Sequence, residues 1–238
     1  MPLAAYGVTH QGRRSSNEDA WLVDLDLGLL VVADGMGGHN AGEVASALAV
    51  KVIREVFVSS GDASGEAVLV HAVQTANERI LAAATEQPAH SGMGTTVVAV
   101  AIVADRAFYT SVGDSRVYLW RTGRLTQLTR DDSWLAETLD GAAEQPQDIG
   151  THPMRHVLTK VVGLRPELET TVSECALAVG DALLLCSDGV HGAVPHELLA
   201  SMLSSQKSVE EVAQNVLRSA ISRGATDNVT AVVARMSR

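Results

Sequence analysis

The run Leu29-Leu30-Val31-Val32-Ala33-Asp34-Gly35-Met36-Gly37-Gly38-His39 takes an apolar strand straight into a carboxylate, a glycine-rich turn and an imidazole. Leucines and valines bounded by Asp and Gly read as a strand, and a strand holds the residue at its end more rigidly than a loop does. Gly35, Gly37 and Gly38 permit positive φ and let a ligand come close to the backbone. The same residues also suit a plain hairpin turn, because Asp-Gly is a common turn dipeptide. The rest of the chain has to separate the two readings.

Working outward, apolar strand-like runs recur at residues 28–33, 95–104, 107–112, 116–120, 182–186 and 229–234. Between them lie helical patterns. Val44, Leu48, Val52 and Val56 repeat every four residues, with Lys51, Arg54 and Glu55 left to solvent, which predicts an amphipathic helix. Leu69, Val73, Ala76 and Ile80 form a second stripe. Ser208 and Glu211 have capping-box spacing ahead of Val212, Ala213, Val216, Leu217 and Ala220, so a third helix begins there. With Ala104-Asp105-Arg106 and Thr122-Gly123-Arg124 as turns, the strands after Thr95 follow one another like hairpins. Largely antiparallel sheets and a layered α+β architecture follow. Residues 130–153 are polar and acidic, contain Pro146 and Pro153 and show little periodicity. They read either as a lid over a site or as an ordinary surface excursion.

The composition suits a soluble globular chain. Its 238 residues suffice for a substantial core, 46% of them are apolar, and no apolar run approaches the ~20 residues of a membrane helix. Met1-Pro2-Leu3-Ala4-Ala5-Tyr6 has neither a basic start nor an apolar signal core, so a cytoplasmic protein without a membrane segment is expected. Cys175 and Cys186 are too few for a disulfide framework, and Cys186 sits in an apolar run that predicts a buried thiol. Against 18 basic residues stand 28 acidic ones, a formal charge of −10, which argues against nucleic acid as the main partner.

Asp34 is one of several carboxylates at strand boundaries. Apolar runs also lead into Gly113-Asp114-Ser115-Arg116 and Cys186-Ser187-Asp188-Gly189, Thr226-Asp227-Asn228 opens the last strand, and Asn17-Glu18-Asp19 precedes the run 20–24. If these groups met, each charge would raise its neighbours' pKa. A hard divalent cation relieves that conflict, and oxygen-only donors suit magnesium or manganese. Zinc-type spacings, a P-loop lysine and a Gly-x-Ser-x-Gly elbow are absent from the sequence. His152 and His156 have Pro153 between them, which disfavours a helical metal pair.

Taken in order, Arg14-x-x-Asn17-Glu18-Asp19, Ala33-Asp34-Gly35-Met36-Gly37-Gly38-His39, Gly94-Thr95-Thr96, Gly113-Asp114-Ser115-Arg116, Ser187-Asp188-Gly189 and Asp227-Asn228 resemble the motifs of bacterial protein phosphatase 2C enzymes across residues 12–234. The resemblance implies a four-layer α-β-β-α sandwich of two mainly antiparallel sheets, a single phosphatase domain over 1–238, and a flap at about 130–156. It further implies hydrolysis of phosphoserine and phosphothreonine in proteins, with two magnesium or manganese ions and room for a third. Asp34 would bridge the two ions, the Gly35 carbonyl would join the second, and Asp188 and Asp227 would complete the first. Glu18 and Asp19 would act mostly through water on the metals, and Asp114 with Asp188 matches a third metal site. Arg14 would grip the substrate phosphate with its planar fork.

His39 is the candidate general acid, since imidazole titrates near neutral pH, with an orienting role as its alternative. It lies three residues beyond Met36, whereas eukaryotic relatives place their histidine directly after Asp-Gly. A second departure is Asp132, which stands where many bacterial members have histidine in Asp-His-Ser, implying different recognition by the lid. Thr95 and Thr96 read as structural, and Trp21 and Trp120 as core. The expected partners are phosphoproteins and a cognate serine/threonine kinase, with no nucleic acid and a monomeric chain. The rival reading is a catalytically silent phosphoprotein-binding module on the same fold.

Overall fold

The computed structural model describes residues 2–37, 41–61, 65–139, 154 and 157–237. Among the described residues, eleven strands form two antiparallel sheets. One runs in the order β1 (Leu3–His10), β11 (Val229–Met236), β10 (Ala182–Cys186), β7 (Arg116–Arg121), β8 (Arg124–Gln127). The other runs β2 (Asp19–Asp24), β3 (Leu29–Met36), β5 (Val97–Val103), β6 (Arg106–Val112), β9 (Val172–Ala176), with the short β4 (Gly94–Thr95) also paired to β3. Helices α1 (Ala41–Ser60) and α2 (Gly65–Glu86) cover the second sheet, while α4 (Asp188–His191), α5 (His196–Leu203) and α6 (Val209–Ser222) cover the first. The four-layer α+β sandwich is thus observed.

The central strands are apolar throughout because both of their faces are covered. In β3, Leu29, Val31 and Ala33 pack on the helices, while Leu30 and Val32 point into the space between the sheets. β10 divides likewise, with Leu184 and Cys186 under the helices and Leu183 and Leu185 between the sheets. Alternation of period two is therefore present but invisible as a polar–apolar pattern. Each Val or Leu so buried contributes roughly 1.5–3 kcal/mol of hydrophobic stabilisation.

Several expectations need adjustment. α1 buries Ala41, Gly42, Ala45, Ser46, Ala49, Val52, Ile53 and Val56, so Val44 and Leu48 flank the contact rather than centre it. The small residues let the helix axis approach the sheet more closely than a Val and Leu stripe would allow. The α2 stripe and the Ser208–Glu211 capping box stand as read. Trp21 is not a core residue: it is 37% exposed and lies across Gly7, where an added Cβ would strike its ring. Trp120 is partly buried against the core. The hairpin succession breaks at Gly113–Ser115, where the chain leaves β6 in one sheet for β7 in the other. A five-residue helix, α3 (Trp134–Thr138), opens the proposed flap, capped by the Ser133 hydroxyl, which accepts from Ala136 N; most of the remaining flap lies outside the described residues.

Strand register brings the chemistry together. Asp19 pairs with Asp34, Val32 with Val98, Val97 with Val112, Cys186 with Arg116, and His10 with Val229. Every one of these pairs lies at the same end of its sheet. The crossings 11–18 and 113–115, the end of β3, the end of β10 and the start of β11 therefore gather at one end of the sandwich.

At that end Gly35 is in near contact with α1. A Cβ there would lie 2.0 Å from the Gly42 carbonyl oxygen and 2.7 Å from the Glu18 carbonyl oxygen, both backbone atoms. Gly35→Ala should destabilise the protein by about 1–3 kcal/mol through overpacking, read as a fall of several degrees in thermal midpoint. An unchanged midpoint would contradict this packing.

Candidate functional site

A pocket of about 830 Å3 opens at this end, and Arg14, Glu18, Asp34, Asp114, Asp188 and Asp227 all line it, as do the backbones of Gly35 and Gly37. Asp34 projects from the last turn of the central strand β3, whose rigidity is reinforced from the side. Its N–H donates to Thr96 Oγ1 at 3.0 Å, and its carbonyl accepts from Thr96 N at 2.8 Å and Thr95 Oγ1 at 2.9 Å. Both threonines are thus structural, as their sequence reading holds. They fix the peptide that carries the carboxylate.

The first crossing, which carries Arg14 and Glu18, is held by Asn228. This side chain is 3% exposed and satisfies three partners: its Oδ1 accepts from Glu18 N at 2.8 Å, and its Nδ2 donates to Gln11 O and Ser16 O. Ser46 on α1 donates to Glu18 O at 2.6 Å. Asp19, buried, accepts from Ser187 Oγ at 2.8 Å, and Ser187 in turn is tied to Thr230 N on β11. The Asp114 carbonyl accepts from His191 Nε2 at 3.0 Å, linking the second crossing to the helix that starts at Asp188.

Electrostatically the pocket is strained. Burial, followed by Asp19, Asp188, Asp114 and Asp227, pushes the Asp34 carboxyl well above its ordinary value. Burial and then Asp188 raise Asp114 to about 7. Burial likewise raises Asp19 to about 6, although hydrogen bonds from Thr230 and Ser187 oppose the shift, and it raises Glu18 against the pull of Arg14. Among the described residues two cations line the pocket, Arg14 and Arg223; Arg14 Nη2 meets Asp227 Oδ2 at 2.5 Å, and the guanidinium also feels Asp188 and Asp34. Two guanidinium groups do not balance Glu18, Asp34, Asp114, Asp188 and Asp227.

The donor set fits hard divalent cations. All the side-chain ligands are carboxylates, their charges are under-compensated, and the buried Oδ1 of Asp19 has no hydrogen-bond partner among the described residues. Among those residues no three such side chains draw together into a closed cage. The pocket is open to solvent, which suits ions that keep part of their water. Burying several ionised carboxylates without cations would be expensive.

All of the sequence-derived candidates that are described meet at this pocket or, for Asp19, directly beneath it. His39 lies outside the described residues. Arg14 reaches the site and donates through Nη2 to Asp227 Oδ2. Asn228, Ser187 and Ser46 carry scaffolding roles that the sequence alone does not reveal. Asn228 directly follows a recognised aspartate, and a buried amide in that place was the only available signal.

A sequence profile described as protein phosphatase 2C matches residues 6–233. The serine/threonine protein phosphatase PstP of Mycobacterium tuberculosis is 37% identical over 221 residues, which cover 93% of this chain but 42% of that protein. The chain therefore spans less than half the length of the mycobacterial relative it matches. A serine/threonine phosphatase of Listeria welshimeri is 34% identical over 209 residues, covering 86% of this chain and 83% of its own. Among solved structures, the catalytic domain of PstP in complex with two manganese ions superposes with a TM-score of 0.90 at 33% identity, over 99% of both chains. Among the described residues no helix is long and apolar enough to cross a membrane.

The raised carboxylates set a pH dependence for the metal-free protein. Their unfolded values lie near ~4, so across roughly pH 4 to 7 the folded chain binds more protons than the unfolded chain and loses stability as pH rises. In chelator the thermal midpoint should be higher at pH 5 than at pH 8. Manganese should raise it more at pH 8 than at pH 5, since cations and protons compete for the same oxygens. A midpoint in chelator that climbs steadily from pH 5 to 8 would contradict this account.

Proposed function

The chain belongs to the protein phosphatase 2C family, and from that premise we propose that it hydrolyses phosphoserine and phosphothreonine in proteins, reversing the work of a serine/threonine kinase. The observation that carries this reading is the convergence of Asp34, Asp114, Asp188 and Asp227 with Arg14 around one open pocket. Asp34, Asp188, Asp227 and the Gly35 backbone would hold two magnesium or manganese ions, with Glu18 and Asp19 behind them; Asp114 and Asp188 would hold a third. Such ions cancel the charge of a phosphomonoester and supply a nucleophilic water at neutral pH.

The chain's own residues do the rest. Arg14 stands 60% exposed at the rim, and exposed ion pairs are worth only about 0–1 kcal/mol. Its fork can exchange Asp227 for the two oxygens of a phosphate at little cost. The openness of the pocket admits a phosphorylated side chain still attached to a protein backbone. Water attacks phosphorus, the ester P–O bond breaks, and the departing seryl or threonyl oxygen takes a proton. His39 is our candidate for that donor. Inorganic phosphate and the free hydroxyl are the products, with no phosphoenzyme between.

Release of phosphate from phosphoseryl and phosphothreonyl peptides, with phosphotyrosyl peptide alongside, tests the reading. Turnover should require manganese or magnesium, vanish in chelator, and fall at least ~100-fold in Asp34→Asn and Asp188→Asn. Turnover that persists in chelator, or none in any metal, would overturn it and favour a silent binding module. For His39, the His39→Gln variant should slow an alkyl phosphate at least ~10-fold more than p-nitrophenyl phosphate, whose leaving group needs no proton. Equal loss on both substrates would assign the histidine an orienting role instead.

A further inference from the structure

Asp132, at the base of the flap, bonds to two other pieces of chain although it lies outside the pocket. Its N–H donates to Gly113 O at 2.8 Å, while its Oδ2 accepts from Gly113 N at 3.2 Å, a reciprocal pair. Its Oδ1 faces Lys160 Nζ at 3.4 Å, and its carbonyl accepts from Thr159 N at 2.9 Å. Asp132 thereby joins three pieces of chain: the start of the flap, the return from it, and the crossing that carries Asp114. The preceding residue grips the same crossing from the other side, since Asp131 accepts three hydrogen bonds from the Arg116 guanidinium, from Nη2 at 2.7 Å and from Nε at 2.9 and 3.3 Å. Gly113-Asp114-Ser115-Arg116 is held at both ends by two consecutive aspartates.

The crossing also packs against Thr96. Gly113 has φ +98 and lies against Thr96, whose Cβ would sit 2.8 Å from any Cβ added there. Ser115 is tied to Thr96 Oγ1 at 2.8 Å. Neither Asp132 nor Lys160 lines the carboxylate pocket; both line a separate cleft of about 240 Å3. Asp132 reaches the site through the Gly113–Asp114 peptide, to which it is hydrogen-bonded, and through Thr159, the neighbour of Leu158 in the pocket wall.

We propose that Asp132 is a positioning residue, a clasp through which the base of the flap sets the Asp114 carboxylate where it and Asp188 can take up a divalent cation. This rests on the metal-binding reading of the pocket. Outer contacts of this kind change metal affinity by about 10–100-fold when removed. The Lys160 contact makes the clasp two-sided: it draws the Asp132 carboxylate toward the chain returning from the flap, while the Gly113 N–H draws it toward the site.

Calorimetric titration with Mn2+ on the full chain, beside thermal melting in chelator, separates this role from a structural one. Asp132→Ala should weaken the weakest Mn2+ site at least ~10-fold and raise the Mn2+ needed for half-maximal phosphatase activity to match. Its midpoint in chelator should stay close to that of the unaltered chain. Asp132→Asn, which keeps an oxygen toward Gly113 N, should recover most of the affinity, whereas Lys160→Met should lie between. Unaltered Mn2+ binding in Asp132→Ala overturns the proposal. So does an equal loss in Asp132→Ala and Asp132→Asn with lowered midpoints, which would make Asp132 a structural support only. If the unaltered chain binds no Mn2+, the metal reading of the pocket falls, and the clasp with it.

Discussion

Like charges crowded at one end of a sandwich are the constraint on which this structure turns. Burial first, and then the neighbouring carboxylates, Asp188 among them, raise Asp19, Asp34 and Asp114 above the ordinary carboxylate range. Left on loops, such groups would swing apart into water. Here each sits on or beside a strand end whose backbone is hydrogen-bonded into a sheet buried on both faces. The hydrophobic layers between and outside the sheets supply the stability that lets the charged end remain assembled, an arrangement in which a functional centre is disfavoured locally and tolerated globally.

How much of this could be read from the chain alone depended on whether the signal was local. The strand endings at Asp34, Asp188 and Asp227 are local, because an apolar run stopping at Asp-Gly or starting after Asp-Asn is visible without knowing any neighbour. So is the α6 cap, where Ser208 and Glu211 satisfy each other within one helical turn. Antiparallel pairing of β5 with β6 and of β7 with β8 follows from short turns, with Ala104 and Thr122 adopting positive φ at the corners. The edge strands β1, β8 and β9 gave weaker signals. In β9 most residues face solvent to some degree, so neither alternation nor a continuous apolar run marks it.

What stayed hidden was whatever depended on two sheets being stacked. The stretch after β6 reads as another hairpin turn, yet it changes sheets, and only that change lets Asp114 face Asp188 and Asp34. The buried face of α1 lies one position from the Val44–Leu48 stripe because Ala45 and Ala49 carry little apolar weight, although both are fully buried in the core, and it is Gly42 that meets Gly35. Trp21 reads as core by its type, but β2 is an edge strand and its ring lies over Gly7. Asn228 has no sequence pattern of its own, since its partners Gln11, Ser16 and Glu18 lie more than 200 residues away along the chain.

The two crossings that deliver residues to the pocket are secured in physically different ways, and the difference has consequences. The crossing at 11–18 hangs on a buried amide with every partner satisfied, a neutral network whose disruption would strand polar groups away from water. That tie is stiff and indifferent to salt. The crossing at 113–115 is held by carboxylates of Asp131 and Asp132 against Arg116, Lys160 and a backbone N–H, with the Lys160 side chain 40% exposed. Charges that reach solvent are screened by ions and yield to competing partners. Arg14 and Glu18 are thus presented on a fixed ledge, while Asp114 rests on an adjustable one whose handle is the base of the flap.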